Sequence, residues 1–134
     1  MGPRAKAVWL DALDHPDKHI RWEAAHGLGR MGDSRAALTL AEGLLDENYV
    51  VRWISANVLA RLGEEGSLSI LCVLRNNQLS KAVLQAAYHA LNDTSSSKNR
   101  ERIVPLLNIL IGSASSETIS AAAGQLLNEW EKSS

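Results

Sequence analysis

One stretch of this sequence repeats at a fixed step of 31 residues. Residues 20–32 read IRWEAAHGLGRMG, and residues 51–63 read VRWISANVLARLG. Identical residues occupy equivalent positions in the two stretches, among them Arg21 and Arg52, Ala25 and Ala56, and Gly32 and Gly63. A further step of 31 reaches residues 82–94, where Ala87 takes the position of Ala25 before the agreement fades. Self-similarity at such a period is the signature of a protein built from stacked structural repeats.

Each repeat unit reads as two helices. Apolar residues of the repeated stretch recur at helical spacing, at Ile20, Ala24, Leu28 and Met31. A glycine follows each run and favours the left-handed conformation that ends a helix. No segment alternates with the period of two that is typical of strands. The sequence therefore predicts an all-α protein of about eight helices.

The predicted units cover the chain. They are a partial unit at 3–15, full units at 16–45, 46–76 and 77–112, and a partial unit at 113–134. In the third full unit, residues 102–111 are predicted as the second helix, with Pro105 in its first turn. The polar residues 94–99 are predicted as a loop, because they add about five residues to an otherwise regular spacing.

The pattern of the unit resembles the HEAT repeat. Residues 20–33 combine an apolar-Arg start, paired alanines, and a Leu-Gly followed by Gly-Asp, and are most similar to HEAT-like repeats of the phycobilisome (PBS) lyase type. The resemblance implies a right-handed α/α superhelix, a HEAT-like solenoid with about eight antiparallel helices in roughly four stacked units. It implies a scaffold or protein-interaction role. A bilin lyase-type, chromophore-handling role and, less favoured, nucleic-acid binding are the alternatives.

Six residues are interpreted as contacts between repeats. Arg21 and Arg52 occupy equivalent positions near helix starts, and in HEAT-like proteins such an arginine pairs with an acidic turn residue of the adjacent unit. Asp46 is a candidate for that partner, as are Asp14, Asp17 and Glu47. The alanines Ala25, Ala56 and Ala87 add almost no side-chain bulk, so neighbouring helices can approach closely.

The equivalent tryptophans Trp22 and Trp53 admit two interpretations. The favoured one is an apolar ladder that packs unit on unit, and the alternative is a partly exposed aromatic stripe that binds a partner. Trp9 and Trp130 are expected to be more exposed than this pair, because terminal helices lack one neighbour.

The second helices of the first two full units are predicted over residues 35–45 and 68–75, and they supply further candidates for partner binding. Arg35, Thr39 and Glu42 lie on the less apolar face of the first such helix. Ile70 and Val73 belong to a helix so apolar that it is either enclosed at the centre of the array or lines a hydrophobic groove. Together with the two tryptophans, these residues form the candidate partner-binding surface.

The composition argues against several classes of function. Because 14 Lys and Arg are balanced by 15 Asp and Glu, no strong nucleic-acid binding is expected. Four scattered histidines and a single cysteine predict no metal site and no disulfide scaffold, and no motif predicts a catalytic residue or a cofactor. No apolar run approaches the roughly 20 residues that span a bilayer, and the start lacks a signal-peptide core. We expect a cytoplasmic, non-catalytic protein with a protein partner.

Overall fold

A computed structural model describes residues 3–32, 36–93 and 97–132. Within these ranges the chain forms eight α-helices and no strand, so the predicted fold class, an all-α solenoid, is confirmed. The α-helices are α1 Pro3–Ala12, α2 Lys18–Met31, α3 Ala37–Ala41, α4 Tyr49–Arg61, α5 Glu64–Asn76, α6 Lys81–Asp93, α7 Ser97–Leu110 and α8 Ser116–Lys132. A 3-10 helix, Glu42–Leu45, directly follows α3.

Local signals in the sequence set the ends of the first helices of the repeats. The side chain of Asp17 accepts a hydrogen bond from the His19 N–H and caps α2, and Asn48 accepts from Val50 and Val51 and caps α4. Gly32 ends α2 in the left-handed conformation, with φ 62° and its N–H donating to the Leu28 carbonyl. These short-range contacts explain why both helices follow the boundaries that the repeat predicts.

The helices form two rows. One row consists of α2, α4 and α6, each packed against the next, and the other contains α3, α5 and α8. Between the rows lies a core rich in leucine and alanine that is continuous from α2 to α8. Each helix pair is too small to enclose its own apolar stripe, so the stacking of neighbours provides the core.

Helix α8 packs more extensively on α5 than any other helix does, and the sequence does not predict this contact. Ser120 Oγ donates a 2.8 Å hydrogen bond to the Leu74 carbonyl, and Trp130 Nε1 donates a 2.7 Å hydrogen bond to Glu64 Oε1. These pairs run in opposite order along the two helices, so α8 is antiparallel to α5. Equivalent helices of successive repeats would run parallel. Helix α8 therefore closes the array and does not add a further repeat to it.

Helix α7 differs from its prediction in both length and place. It begins at Ser97 and packs chiefly against α6 and α8, whereas residues 102–111 are predicted to be the second helix of the third unit. Pro105 consequently lies in the helix interior, where its missing N–H leaves one helical hydrogen bond unmade. Of the predicted loop 94–99, residues 97–99 are helical and residues 94–96 lie outside the described part of the chain. The boundaries of the units remain a prediction.

The second helices of the first two full units also differ from expectation. The segment predicted as one helix over 35–45 is a five-residue α-helix, Ala37–Ala41, continued by the 3-10 helix. Its counterpart α5 begins at Glu64, four residues before the predicted start at Leu68. Glu64 and Glu65 in the first turn of α5 favour the earlier start, because negative charge is stabilising at a helix N-terminus.

A candidate protein-binding surface

Arg21 links two successive loops of the array. Its Nη1 donates to the carbonyls of His15 and Pro16 at 2.8 and 3.0 Å, in the loop before α2. Its Nε and Nη2 donate to the two carboxylate oxygens of Asp46 at 2.8 and 3.1 Å, in the loop before α4. The arginine is buried, and the pairing is bidentate, the strongest geometry available to an arginine.

Within the described part of the chain, Arg52 makes the equivalent contacts with backbone carbonyls but not those with a carboxylate. Its Nη1 donates to the carbonyls of Asp46 and Glu47 at 2.8 and 3.1 Å, one repeat after the contacts of Arg21 with His15 and Pro16. The position equivalent to Asp46 in the next loop is Asn77, whose side chain donates to the Val73 carbonyl at 2.8 Å. The structure thus brings Arg21 and Asp46 together and leaves Arg52 without an acidic partner among the described residues.

The three alanines predicted as small contacts between helices lie in the interior. Ala25, Ala56 and Ala87 are fully buried on α2, α4 and α6, the helices that pack in one row. Their role as contacts between repeats remains a prediction.

Trp22 and Trp53 differ in environment although they are equivalent in sequence. Trp22 is half-buried on α2, and its Nε1 donates a 3.0 Å hydrogen bond to Asn48 Oδ1, which also caps α4. For Trp53, the position equivalent to Asn48 is Leu79, which has no side-chain amide to accept a hydrogen bond from the indole. The predicted ladder therefore does not describe Trp53, which is 41% exposed.

Trp53 lies between two other rings on the outer side of α4 and α6. Tyr49, one turn earlier on α4, stacks at 6.1 Å between ring centroids, and His89 of α6 stacks at 4.2 Å with an interplanar angle of 21°. His89 Nε2 is 2.8 Å from Asn57 Oδ1 and 3.4 Å from Asp93 Oδ2, which fixes the imidazole against the tryptophan. We call Tyr49, Trp53 and His89 the aromatic surface.

The sequence does not single out Tyr49 or His89. One signal for Tyr49 is its spacing of four residues from Trp53, which places both rings on one helix face. His89 comes from a different helix. Its contact with Trp53 depends on how α4 and α6 pack, and spacing alone does not specify that.

The candidates on the second helices divide into exposed and enclosed residues. Thr39 and Glu42 are exposed, whereas Ile70 and Val73 are only 1% and 4% exposed. The groove interpretation is wrong for Ile70, because α3 and α8 cover α5. Val73 lines a cleft of about 470 Å³ together with Glu42 and the exposed Leu38 and Leu45, but little of its own surface is accessible there. The sequence does not single out Leu38 or Leu45. Arg35 lies outside the described residues.

The expectation for the terminal tryptophans is also wrong. Trp130 is 3% exposed because α8 packs its inner face on α5, and Trp9 is partly buried against α2 near Gly27. Packing of a closing helix protects a ring that would be exposed at the end of a regular array.

Two findings bear on function classes other than protein binding. Among the residues that the structure describes, no three His, Cys, Asp or Glu side chains gather as a metal site would require. Within the same ranges, no helix combines the length and the apolar character needed to cross a membrane.

Comparison with known families agrees with this architecture. A family model described as HEAT repeats matches residues 6–92, which are 87 of the chain's 134 residues. The match ends within α6, before the helices that depart from the regular array. No curated protein and no solved structure gave a match. Since the match spans more than half of the chain, and the paired helices stack as repeats, the chain belongs to the HEAT-repeat family.

Proposed function

We propose that this chain is a non-catalytic protein-interaction module whose partner docks on the aromatic surface. HEAT repeats generally serve as interaction and scaffold modules, which supports the class of function. The aromatic surface supplies the position, because it gathers three rings from two helices on the outside of the array.

The observation that carries this proposal is the state of Trp53, which is exposed and yet fixed. Its ring is 41% exposed, and stacking on His89 at 4.2 Å limits its rotation before any partner arrives. Aromatic residues dominate binding energy at interfaces, and an anchor that is already ordered loses less entropy on binding. Nothing in the core requires this stack, since Ala56 and Leu59 already fill the inner face of α4.

The cleft beside α3 is a weaker candidate for the same role. Leu38 and Leu45 are exposed there, but both are flexible aliphatic side chains, and Val73, which lines the cleft with them, is only 4% exposed. Leucine is under-represented among hot-spot residues, whereas tryptophan and tyrosine are enriched. Mutations in this cleft are therefore expected to weaken partner binding less than mutations of Trp53.

The repeat subclass, nucleic-acid binding and the cellular location are further parts of the proposal. The lyase-type subclass of HEAT-like repeats and a bilin-handling role are kept as a second interpretation, but no contact among the described residues favours them over protein binding. No strong binding to nucleic acid is expected, because the acidic and basic residues are nearly balanced in number. We also propose a cytoplasmic location, because a chain with a single cysteine forms no internal disulfide and so does not require an oxidising compartment.

Affinity capture with a matched pair of variants tests the proposal. The full chain, Trp53→Ser and Val104→Ser are immobilised separately, and the captured proteins are quantified by mass spectrometry. Val104 is exposed to the same extent, 41%, but lies on α7, which contributes no residue to the aromatic surface. We expect Trp53→Ser to lower capture of the partner about tenfold or more, and Val104→Ser to leave capture unchanged.

Thermal unfolding monitored by circular dichroism serves as the control, because both replaced side chains are exposed and both variants should remain folded. Equal capture by the native chain and by Trp53→Ser would contradict the proposed surface. Turnover of a small molecule by the chain, with no captured protein, would contradict the proposed class of function.

A further inference from the structure

The guanidinium of Arg52 offers an unused pair of hydrogen-bond donors. Its Nη1 is bound to the carbonyls of Asp46 and Glu47. Its Nε and Nη2 donate to no residue within the described ranges, whereas the same two nitrogens of Arg21 hold the Asp46 carboxylate. Arg52 is therefore oriented as Arg21 is, but without the acid.

Arg52 lacks an acidic partner among the described residues because the residue equivalent to Asp46 differs in the next repeat. Asp46 makes two contacts: its carboxylate binds Arg21, and its Oδ1 also accepts a 2.8 Å hydrogen bond from the Asn48 N–H. In the next repeat, Asn77 occupies that position, and the equivalent Leu79 N–H donates to Ser116 Oγ of α8 at 3.1 Å. Ser116 of α8 thus accepts the backbone hydrogen bond that Asp46 accepts in the preceding repeat. No acidic side chain in the described ranges replaces Asp46 as the partner of the arginine.

The unused donors lie beside the aromatic surface. The carbon atom at the centre of the Arg52 guanidinium is 5.9 Å from the Tyr49 ring centroid, and Arg52, Tyr49 and Trp53 line one small cavity. A partner that contacts Trp53 therefore reaches Arg52 as well. The side chain of Glu47, whose backbone carbonyl Arg52 binds, lies 4.0 Å from Nη2 of Arg21 and so is directed toward the preceding repeat.

We propose that a carboxylate of the partner binds Nε and Nη2 of Arg52, in the place that Asp46 takes on Arg21. The idea of a docking partner rests on the proposed function, and the inference adds the chemistry that the partner presents: an acidic residue next to an apolar or aromatic one. A carboxylate is favoured over a phosphate because the equivalent fork of this chain already binds a carboxylate, with both oxygens engaged.

The test uses nuclear magnetic resonance of the full chain and two small probes. The probes are acetyl-glutamate amide, which carries one carboxylate, and acetyl-glutamine amide, its neutral counterpart. The Nε–H signal of Arg52 is identified by its loss in Arg52→Lys, and both probes are titrated to millimolar concentration. We expect the glutamate probe to shift this signal and the glutamine probe to leave it in place. The Arg21 signal should not move, because its donors are occupied.

Asn77→Asp supplies the decisive variant. Its carboxylate should occupy the Arg52 fork from within the chain and weaken binding of the glutamate probe about tenfold or more. Asn76→Asp adds the same charge at an exposed neighbouring position and should leave the titration nearly unchanged. A titration that is the same in Asn77→Asp as in the native chain would overturn the inference, as would an Arg52 signal that ignores the glutamate probe.

Inorganic phosphate forms a further arm of the experiment. Tighter binding of phosphate than of the glutamate probe would overturn the assignment to a carboxylate. These outcomes are distinct from failure of the proposed function, which is measured by partner capture with Trp53→Ser and does not depend on the small probes.

Discussion

Arg21 and Asp46 join two successive repeats through paired hydrogen bonds of 2.8 and 3.1 Å, and both side chains are largely buried. The remaining guanidinium nitrogen of Arg21 donates to the loop before its own helix. One side chain thereby fixes the spacing between two loops, which is the contact on which a stacked array depends.

Breaking this pair is predicted to destabilise the protein strongly. Asp46→Asn leaves the buried Arg21 charge without its counterion, and we expect a loss of about 3 kcal/mol in the free energy of unfolding. Urea unfolding followed by circular dichroism measures the loss. Glu47→Gln is the matched control, because Glu47 is also near Arg21 but is highly exposed, and its midpoint should not change. Equal effects of the two variants would contradict the role assigned to Asp46.

Asn77→Asp is predicted to create a second pair of this kind. The net change in stability should be small, because the Asn77–Val73 hydrogen bond is lost and a negative charge at the end of α5 is unfavourable. A double-mutant cycle with Arg52→Gln isolates the new contact, and we expect a coupling energy of about 1 kcal/mol. A coupling energy near zero would show that Asp at position 77 does not reach Arg52.

Trp130 is predicted to be essential for closing the array. Trp130→Ala removes a buried ring between α8 and α5 and should lower the free energy of unfolding by about 3–5 kcal/mol. Trp130→Phe keeps most of the ring but loses the hydrogen bond to Glu64, so it should cost less. Ile111→Ala, at a highly exposed position, should change stability by no more than about 0.5 kcal/mol. A mild effect of Trp130→Ala in thermal unfolding would show that α8 is dispensable.

A close approach between Gly43 and Ser55 gives a further prediction. A Cβ added at Gly43 would overlap the Ser55 side chain, so Gly43→Ala should cost about 1–3 kcal/mol. Ser55 Oγ is buried and has no hydrogen-bond partner among the described residues, so Ser55→Ala alone should be neutral or slightly stabilising. In the Gly43→Ala background, Ser55→Ala should restore part of the lost stability. Full additivity of the two changes would contradict direct contact.

The regular part of the fold follows from the repeat, and so does part of the candidate site. A step of 31 residues identifies α2 and α4 as equivalent helices and places alanines at the positions where the structure buries them. These features depend on spacing within and between units, which the sequence displays directly. The link between Arg21 and a loop acid follows instead from the resemblance to HEAT-like repeats.

The irregular part depends on contacts between distant residues. Nothing local distinguishes a helix that continues an array from one that folds back, so the antiparallel packing of α8 on α5 and the burial of Trp130 were not predictable from spacing. The different exposure of Trp22 and Trp53 is an intermediate case. It follows from Asn48 and Leu79 at equivalent positions, a difference that is visible in the sequence once the contact of Trp22 with Asn48 is known.

Site-specific photo-crosslinking tests the proposed binding surface most directly. A photoreactive benzoylphenylalanine replaces Trp53 in one variant and Val104 in another, which keeps an aromatic ring at the tested position and uses a site of equal exposure as the control. We expect a covalent adduct with a partner protein from position 53 and none from position 104. An adduct from position 104 alone, or equal adducts from both positions, would contradict the claim that the partner docks on Tyr49, Trp53 and His89.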